Sequence, residues 1–256
     1  MPSHLQPGSD GRPDRAIDHM ADRWRRGQAW EPALDDVIDV WRFSLEVEDG
    51  DWAILAPEET QTANRIVVEE QRDRKASARA HLRRILARYL GTLPQDVQFT
   101  YGEHGKPMLV EHDDPCFNLS HSGSQGLAAV SRGTRIGVDL EFTREGREFT
   151  KIADRFFSQA ESAALRALPP EARPGAFYRA WTRKEAYLKA WGTGLSFASN
   201  RFTLDYVGEG PGNLLATEMP EDDVSRWHFK DVELGPAYTG ALCLEGPERP
   251  IRWWAI

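Results

Sequence analysis

Along the chain, apolar and polar positions alternate every second residue in short runs and recur every third or fourth residue in longer ones. "DVIDVWRFSLEV" (36–47) reads as a strand with Val40, Phe43, Leu45 and Val47 as its apolar positions. Pro57-Glu58-Glu59 opens a helix, because proline suits the first helical turn. A second helix runs through "ASARAHLRRILARYLG", with Leu82, Ile85, Leu86 and Leu90 as its stripe and Gly91 as its stop. Short strands punctuated by glycine and proline follow: "VQFTY", "CFNLS", "GLAAVS" and "RIGVDLEF". A helical block from about Lys151 to Trp191 comes next, and the chain closes on "RFTLDY", "SRWHFKDVEL", "YTGALCLE" and "PIRWWAI".

The order strand, helices, strands, then helices, strands predicts an α+β protein of two similar lobes, 37–134 and 135–256, with the boundary near Arg132 to Gly137. Residues 1–36 are rich in Gly, Pro, Asp and Arg without an apolar period, and read as a mobile leader. No short fixed repeat argues for a solenoid.

One helix breaks its own pattern. In "AWTRKEAYLKAWGTG" (180–194), Phe177, Trp181, Leu188 and Trp191 cluster on one face at about 100° per residue. Lys184 projects from the middle of that face and Glu185 from its edge. An unpaired lysine buried there is costly. Glu185 and Lys189, four apart, can form a surface pair, but that leaves Lys184 unexplained. A polyanion, or a metal-bound phosphate between the lobes, would account for all three, and it requires the Lys184 amine to reach the cleft near Asp139 and Glu141.

The composition narrows the classes. A chain of 256 residues with 40% hydrophobic content can bury a real core. Its net charge of −8 argues against general nucleic-acid binding. The mean hydropathy is −0.57, and no apolar run approaches the roughly 20 residues of a membrane helix. The N-terminus has no secretory pattern, and the two cysteines, Cys116 and Cys243, read as reduced thiols of a cytoplasmic protein. There is no G-x-x-x-x-G-K-[ST] loop and no G-x-S-x-G elbow, and the seven histidines are scattered away from any zinc pattern.

Three further groupings carry chemistry. In "GVDLE" (137–141), Asp139 and Glu141 share one face of a strand. Such a pair repels unless a cation or donors lie between its members, and hard cations use carboxylates together with substrate phosphates; a solvent-facing sheet edge is the plainer reading. In "YGEHGKP" and "FNLSHSG", Lys106 lies in a turn, and Ser120, His121 and Ser122 end a strand before Gly123. Hydroxyls, imidazole and backbone N–H groups at a turn make a phosphate cradle, although singly they read as loop residues. The basic run Arg72, Arg74, Lys75, Arg79, Arg83, Arg84 and Arg88 is largely a solvated helix face, and its local excess suits a phosphate or an acidic partner.

In order, "YGEHGKP", "FNLSHSG", "GVDLE", "RFFSQAE" and "WTRKEAYLKAWGTGLS" resemble the 4′-phosphopantetheinyl transferases of the surfactin-synthetase-activating type, over about residues 38 to 245. The resemblance implies a pseudo-dimer of two α+β lobes with coenzyme A in the cleft between them. It implies transfer of the 4′-phosphopantetheine arm to a serine of an apo acyl, peptidyl or polyketide carrier, with release of adenosine 3′,5′-bisphosphate. By the same likeness Asp139, Glu141 and Glu185 hold Mg²⁺ (Mn²⁺ as substitute), and Lys106, Ser120, His121, Asp139, Lys184, Lys189 and Arg79 contact coenzyme A. Glu185, directly or through a bound water, is the candidate base, and Lys189 the group that steadies or protonates the leaving bisphosphate. Family members often carry lysines early in the first helix; here "PEETQTANR" has only Arg65, which shifts that duty to the second-helix arginines. Two rivals are a Mg²⁺-dependent nuclease, disfavoured by the acidic charge, and a module that only docks a carrier, which leaves the carboxylates and Lys184 without purpose. A monomer is expected, with no nucleic acid and no membrane, since one chain supplies both lobes.

Overall fold

The computed structural model describes residues 24–31, 36–192, 198–208, 210 and 212–256. Its first sheet has five strands in the order β1-β12-β2-β6-β5: β1 (Arg25–Arg26), β12 (Ile251–Ala255), β2 (Ile38–Ser44), β6 (Gln125–Ser131) and β5 (Cys116–Ser122). Alternation along these strands sends Trp41, Phe43, Ala128 and Val130 to one face, where helix α2 (Glu69–Leu90) covers them with Leu82, Ile85 and Leu86. Helix α1 (Pro57–Asn64) precedes it, with proline in its first turn, and α2 stops at Gly91 in the left-handed conformation (φ 65°). Two short strands, β3 (Phe99–Tyr101) and β4 (Pro107–Leu109), pair beside this lobe.

The opposite face of the first sheet, with Ile38, Val40, Leu127 and Ala129, packs on the second lobe through Ile136, Val138, Leu140 and Leu242. That lobe holds the sheet β10-β11-β7: β10 (Trp227–Val232), β11 (Tyr238–Glu245) and β7 (Ile136–Phe142). Helices α3 (Phe149–Phe156), α4 (Gln159–Ala167) and α5 (Arg173–Trp191) and the hairpin of β8 (Phe202–Leu204) with β9 (Leu214–Thr217) complete it. Phe177 and Trp181 of α5 pack on Phe149 and Phe157, and Leu188 and Trp191 with Phe202 and Trp227, so the expected apolar stripe is the spine of this lobe's core. Among the described residues, no helix is long and apolar enough to cross a membrane.

The division at residue 135 does not hold for the C-terminal strand. β12 pairs in parallel with β2, Trp253 opposite Val40, and so belongs to the first sheet. The expected leader also ends early: Trp24 and Trp30 are anchored, the first with its ring 5.1 Å from that of Trp253, the second with its Nε1 donating to Asp39 Oδ2 at 3.0 Å. Two indoles with acceptors are enough to fix a polar, glycine-containing segment. The rest of that leader, 1–23 and 32–35, lies outside the described residues.

One glycine sets how α5 meets β7. A Cβ on Gly137 would lie 1.9 Å from the Ala186 carbonyl oxygen and 2.5 Å from the Ala190 nitrogen. Only a bare Cα lets the helix backbone come this close, which brings the neighbours of those alanines, Glu185 and Lys189, beside the strand carrying Asp139. Gly137→Ala is expected to cost about 3 kcal/mol, because backbone rather than a flexible side chain must move. Thermal unfolding should show Tm lower by about 6–12 °C.

Candidate active site

The site is built where β5, β7 and α5 converge. Asp139 is 4% exposed and Ser120 6%. The Ser120 hydroxyl donates to Asp139 Oδ1 at 2.9 Å and accepts from the Lys189 ammonium (2.9 Å) and the Leu140 N–H (3.2 Å). Lys189 Nζ also donates to Asp139 Oδ1 at 2.6 Å and to the Val138 carbonyl at 3.3 Å. The sequence spacing allowed Lys189 to pair with Glu185 along the helix; it turns to the strand carboxylate instead. Asp139 Oδ2 is buried without a hydrogen-bond partner.

Glu141 lies two residues along the same strand, with Ser122 Oγ donating to its Oε2 at 3.3 Å. Burial, then the Asp139 charge, raises the pKa of Glu141. Burial, then Asp139 and Glu141 against the opposing pull of Lys189, raises that of Glu185 to about 7. Among the described residues, no three Asp, Glu, His or Cys side chains are placed so that they alone could hold a metal ion. A hard divalent ion needs no closed protein cage, since it retains waters and takes substrate oxygens. Three mutually repelling carboxylates and an orphaned buried oxygen form a donor set that fits one.

The groups expected to meet phosphates separate. His121 is exposed, makes no hydrogen bond among the described residues, and has its pKa lowered by desolvation and then by the Lys75 and Lys189 ammoniums. Ser120 faces Asp139, its hydroxyl fully engaged. Lys106 is turned onto the end of α5, where it donates to the carbonyls of Lys189 (2.6 Å) and Ala190 (3.1 Å), closing a helix C-terminus. Burial lowers its pKa to about 8. A cleft of about 200 Å³ lies beside it, lined by His104, Lys106, Asn118, Leu119 and Lys189.

Two expected contacts are corrected. The Lys184 amine does not reach the cleft. It is 2% exposed inside the second lobe, donating to Glu161 Oε1 (2.8 Å), Glu161 Oε2 (2.7 Å) and the Phe202 carbonyl (2.9 Å). The apolar face correctly pointed Lys184 inward; its counter-charge comes from α4, where Glu161 also accepts from the Ser158 N–H in a capping box. Arg79 is likewise committed: its Nε lies 3.2 Å from Glu59 Oε1 and its guanidinium over the Phe99 ring. Much of the basic run is paired in the same way, Arg84 with Asp51, Arg72 with Glu69 and Arg74 with Glu70. Arg83 shares Glu59 with Arg79, so one carboxylate serves two guanidiniums and Arg79 Nη1 is left buried without a hydrogen-bond partner.

In the sequence Lys75 reads only as part of the basic run, not as a site residue. It makes no ion pair among the described residues, acts on the His121 imidazole, and has its own pKa lowered by burial and then by Arg79. The usable signal was its place four residues before Arg79, on the same face of α2. The last part of "WTRKEAYLKAWGTGLS", residues 193–196, lies outside the described residues.

Residues 39–132 match the family model described as 4′-phosphopantetheinyl transferase, N-terminal, and residues 135–243 the model of the 4′-phosphopantetheinyl transferase superfamily. The chain is 40% identical over 170 residues to the 4′-phosphopantetheinyl transferase HetI of a Nostoc species, covering 64% of this chain and 72% of that protein. It is 30% identical over 208 residues to the 4′-phosphopantetheinyl transferase Sfp of Bacillus subtilis, covering 81% of this chain and 90% of that one. Two matched models that together span residues 39–132 and 135–243, and relatives of 30–40% identity covered over 72% and 90% of their length, place the chain in the 4′-phosphopantetheinyl transferase superfamily as an enzyme acting on carrier proteins.

Proposed function

We propose that the enzyme moves the 4′-phosphopantetheine arm of coenzyme A onto a serine of an apo acyl, peptidyl or polyketide carrier, with Mg²⁺ and with release of adenosine 3′,5′-bisphosphate. The observation that carries this reading is the buried, unpartnered Oδ2 of Asp139, flanked by Lys189 and by two carboxylates with raised pKa. Asp139, Glu141 and Glu185 would hold the ion, which neutralises pyrophosphate charge as it builds. The lysines supply the rest of that neutralisation: Lys189, with its side chain 27% exposed, faces the leaving phosphate while anchored on Asp139. Lys75 and exposed His121 offer a second anionic group its contacts, and Lys106 holds the end of α5 in place.

In the transfer the carrier serine oxygen forms a new bond to the phosphorus that bears the pantetheine arm, and the bond from that phosphorus to the bisphosphate oxygen breaks. The serine proton passes to Glu185, directly or through a bound water. Glu185→Gln is expected to slow transfer about 10²–10³-fold at saturating Mg²⁺; a near-normal rate would remove Glu185 as base. Protons compete for the same carboxylate, so Mg²⁺ affinity measured by calorimetry should weaken as pH falls through about 7.

Single-chain construction of both lobes supports a monomer, and two free cysteines suit the cytoplasm. The deciding experiment is the intact mass of apo carriers after incubation with the enzyme, coenzyme A and Mg²⁺. One added phosphopantetheine per carrier, on serine, is the expected result. Unchanged carriers of all three classes would overturn it.

A further inference from the structure

Among the described residues, β7 has a partner strand on one edge only, β11. Its other edge turns into the junction between the lobes, where Val138 is 0% and Leu140 1% exposed. Backbone N–H groups buried at such an edge need acceptors. Among the described residues no strand of the first lobe pairs with them, because β5, the strand opposite, turns side chains rather than its free backbone edge toward β7. The acceptors are side chains instead: the N–H of Val138 donates to Asn118 Oδ1 at 2.9 Å, that of Leu140 to Ser120 Oγ at 3.2 Å, and that of Phe142 to Ser122 Oγ at 3.0 Å.

Residues 118, 120 and 122 share one face of β5, and the three N–H groups share one edge of β7, so two period-two patterns are in register. Side chains stand perpendicular to their sheet, and the edge of the second sheet therefore abuts a face of the first. Two rungs also hold the carboxylates, Ser120 through Asp139 and Ser122 through Glu141. A slip of one residue would exchange these polar acceptors for apolar Phe117 and Leu119 and for the His121 ring, so the ladder admits one register.

We propose that this side-chain ladder sets the position of the catalytic strand relative to the first lobe, and that Asn118 is a positioning residue for transfer. Asn118 is 6% exposed and, unlike the serines, bonds to backbone without touching a carboxylate; because it also lines the cleft beside Lys189, exchange at Val138 is what separates strand placement from a changed cleft wall. The inference rests on the transferase reading of the cleft.

The test compares Asn118→Leu, which removes the acceptor at similar volume, with Asn118→Ser, which supplies the group used at the other two rungs. Amide hydrogen exchange, Tm, and kcat and KM for coenzyme A and carrier are measured on the full chain with Mg²⁺. Asn118→Leu should raise exchange at Val138 and lower kcat at least about tenfold at a temperature where it stays folded, with KM for carrier little changed; Asn118→Ser should recover most of both. A lower Tm with wild-type kcat, or equal loss in both variants, overturns the positioning role. Should Asn118→Leu fail to fold, Asn118→Ala takes its place: faster exchange at Val138 with reduced kcat supports the ladder, and unchanged exchange overturns it. If the wild-type protein modifies no carrier, the transferase reading fails by itself, and the exchange data still decide whether the ladder exists.

Discussion

Asp139→Asn is expected to lower carrier modification about 10³-fold while leaving Tm within a few degrees of the parent. The two halves of this expectation have different causes. The carboxylate is held by one oxygen only, Oδ1, which receives Ser120 and Lys189; the other is buried with nothing bonded to it. Asparagine can keep the Oδ1 contacts. It gives up a charge pair with Lys189, a loss softened because the Lys189 side chain is 27% exposed and water can solvate its ammonium. It also relieves the repulsion that raises the pKa of Glu141 and Glu185. Stability therefore barely changes, while the charge that would hold the ion is gone. Rates with saturating coenzyme A across a Mg²⁺ series, alongside thermal unfolding, check both halves. A variant within tenfold of the parent rate would remove Asp139 from the metal site.

What the sequence made legible follows from the range of the interactions involved. The helix stopped by Gly91 is a short-range pattern and forms as its period predicts, whereas the strand containing Val40 and Phe43 forms as Ile38–Ser44 with both faces buried, leaving Leu45 and Val47 beyond its end and Val47 exposed. The charges of Asp139 and Glu141 act on Glu185 because Gly137 permits close contact between β7 and α5, and "GVDLE" carries that glycine beside two of the carboxylates. What remained hidden depends on partners distant in the chain. The parallel pairing of β12 with β2 spans nearly the whole chain, and nothing local in "PIRWWAI" assigns it to either sheet. The duties of Arg79 and Lys106 turned on Glu59 and on the end of α5, which no spacing within their own segments displays. Acceptors on Asn118, Ser120 and Ser122 were visible as a period of two, but their targets are backbone groups of another strand.

Lys184→Met should be the most damaging substitution for stability, by about 3–5 kcal/mol, with Tm lower by about 6–20 °C. The lysine uses all three of its protons on Glu161 and the Phe202 carbonyl and is 2% exposed. Removing it leaves a carboxylate of 2% exposure with only the N–H groups of Ser158 and Leu204. Those donors soften the loss without replacing a charge. Burial lowers the Lys184 pKa to about 8 despite Glu161, which marks how much the ammonium depends on that one partner. Adding Glu161→Leu to Lys184→Met should recover part of the stability, because no buried charge is then left unpaired. Recovery stays incomplete: the Ser158 and Leu204 N–H groups lose their acceptor, and the capping box of α4 loses its acid. In the single variant, coenzyme A affinity below the unfolding range should remain close to that of the parent, since the amine lies outside the cleft. A Tm within a few degrees of the parent together with a large loss of coenzyme A affinity would reverse the assignment and return Lys184 to the phosphates.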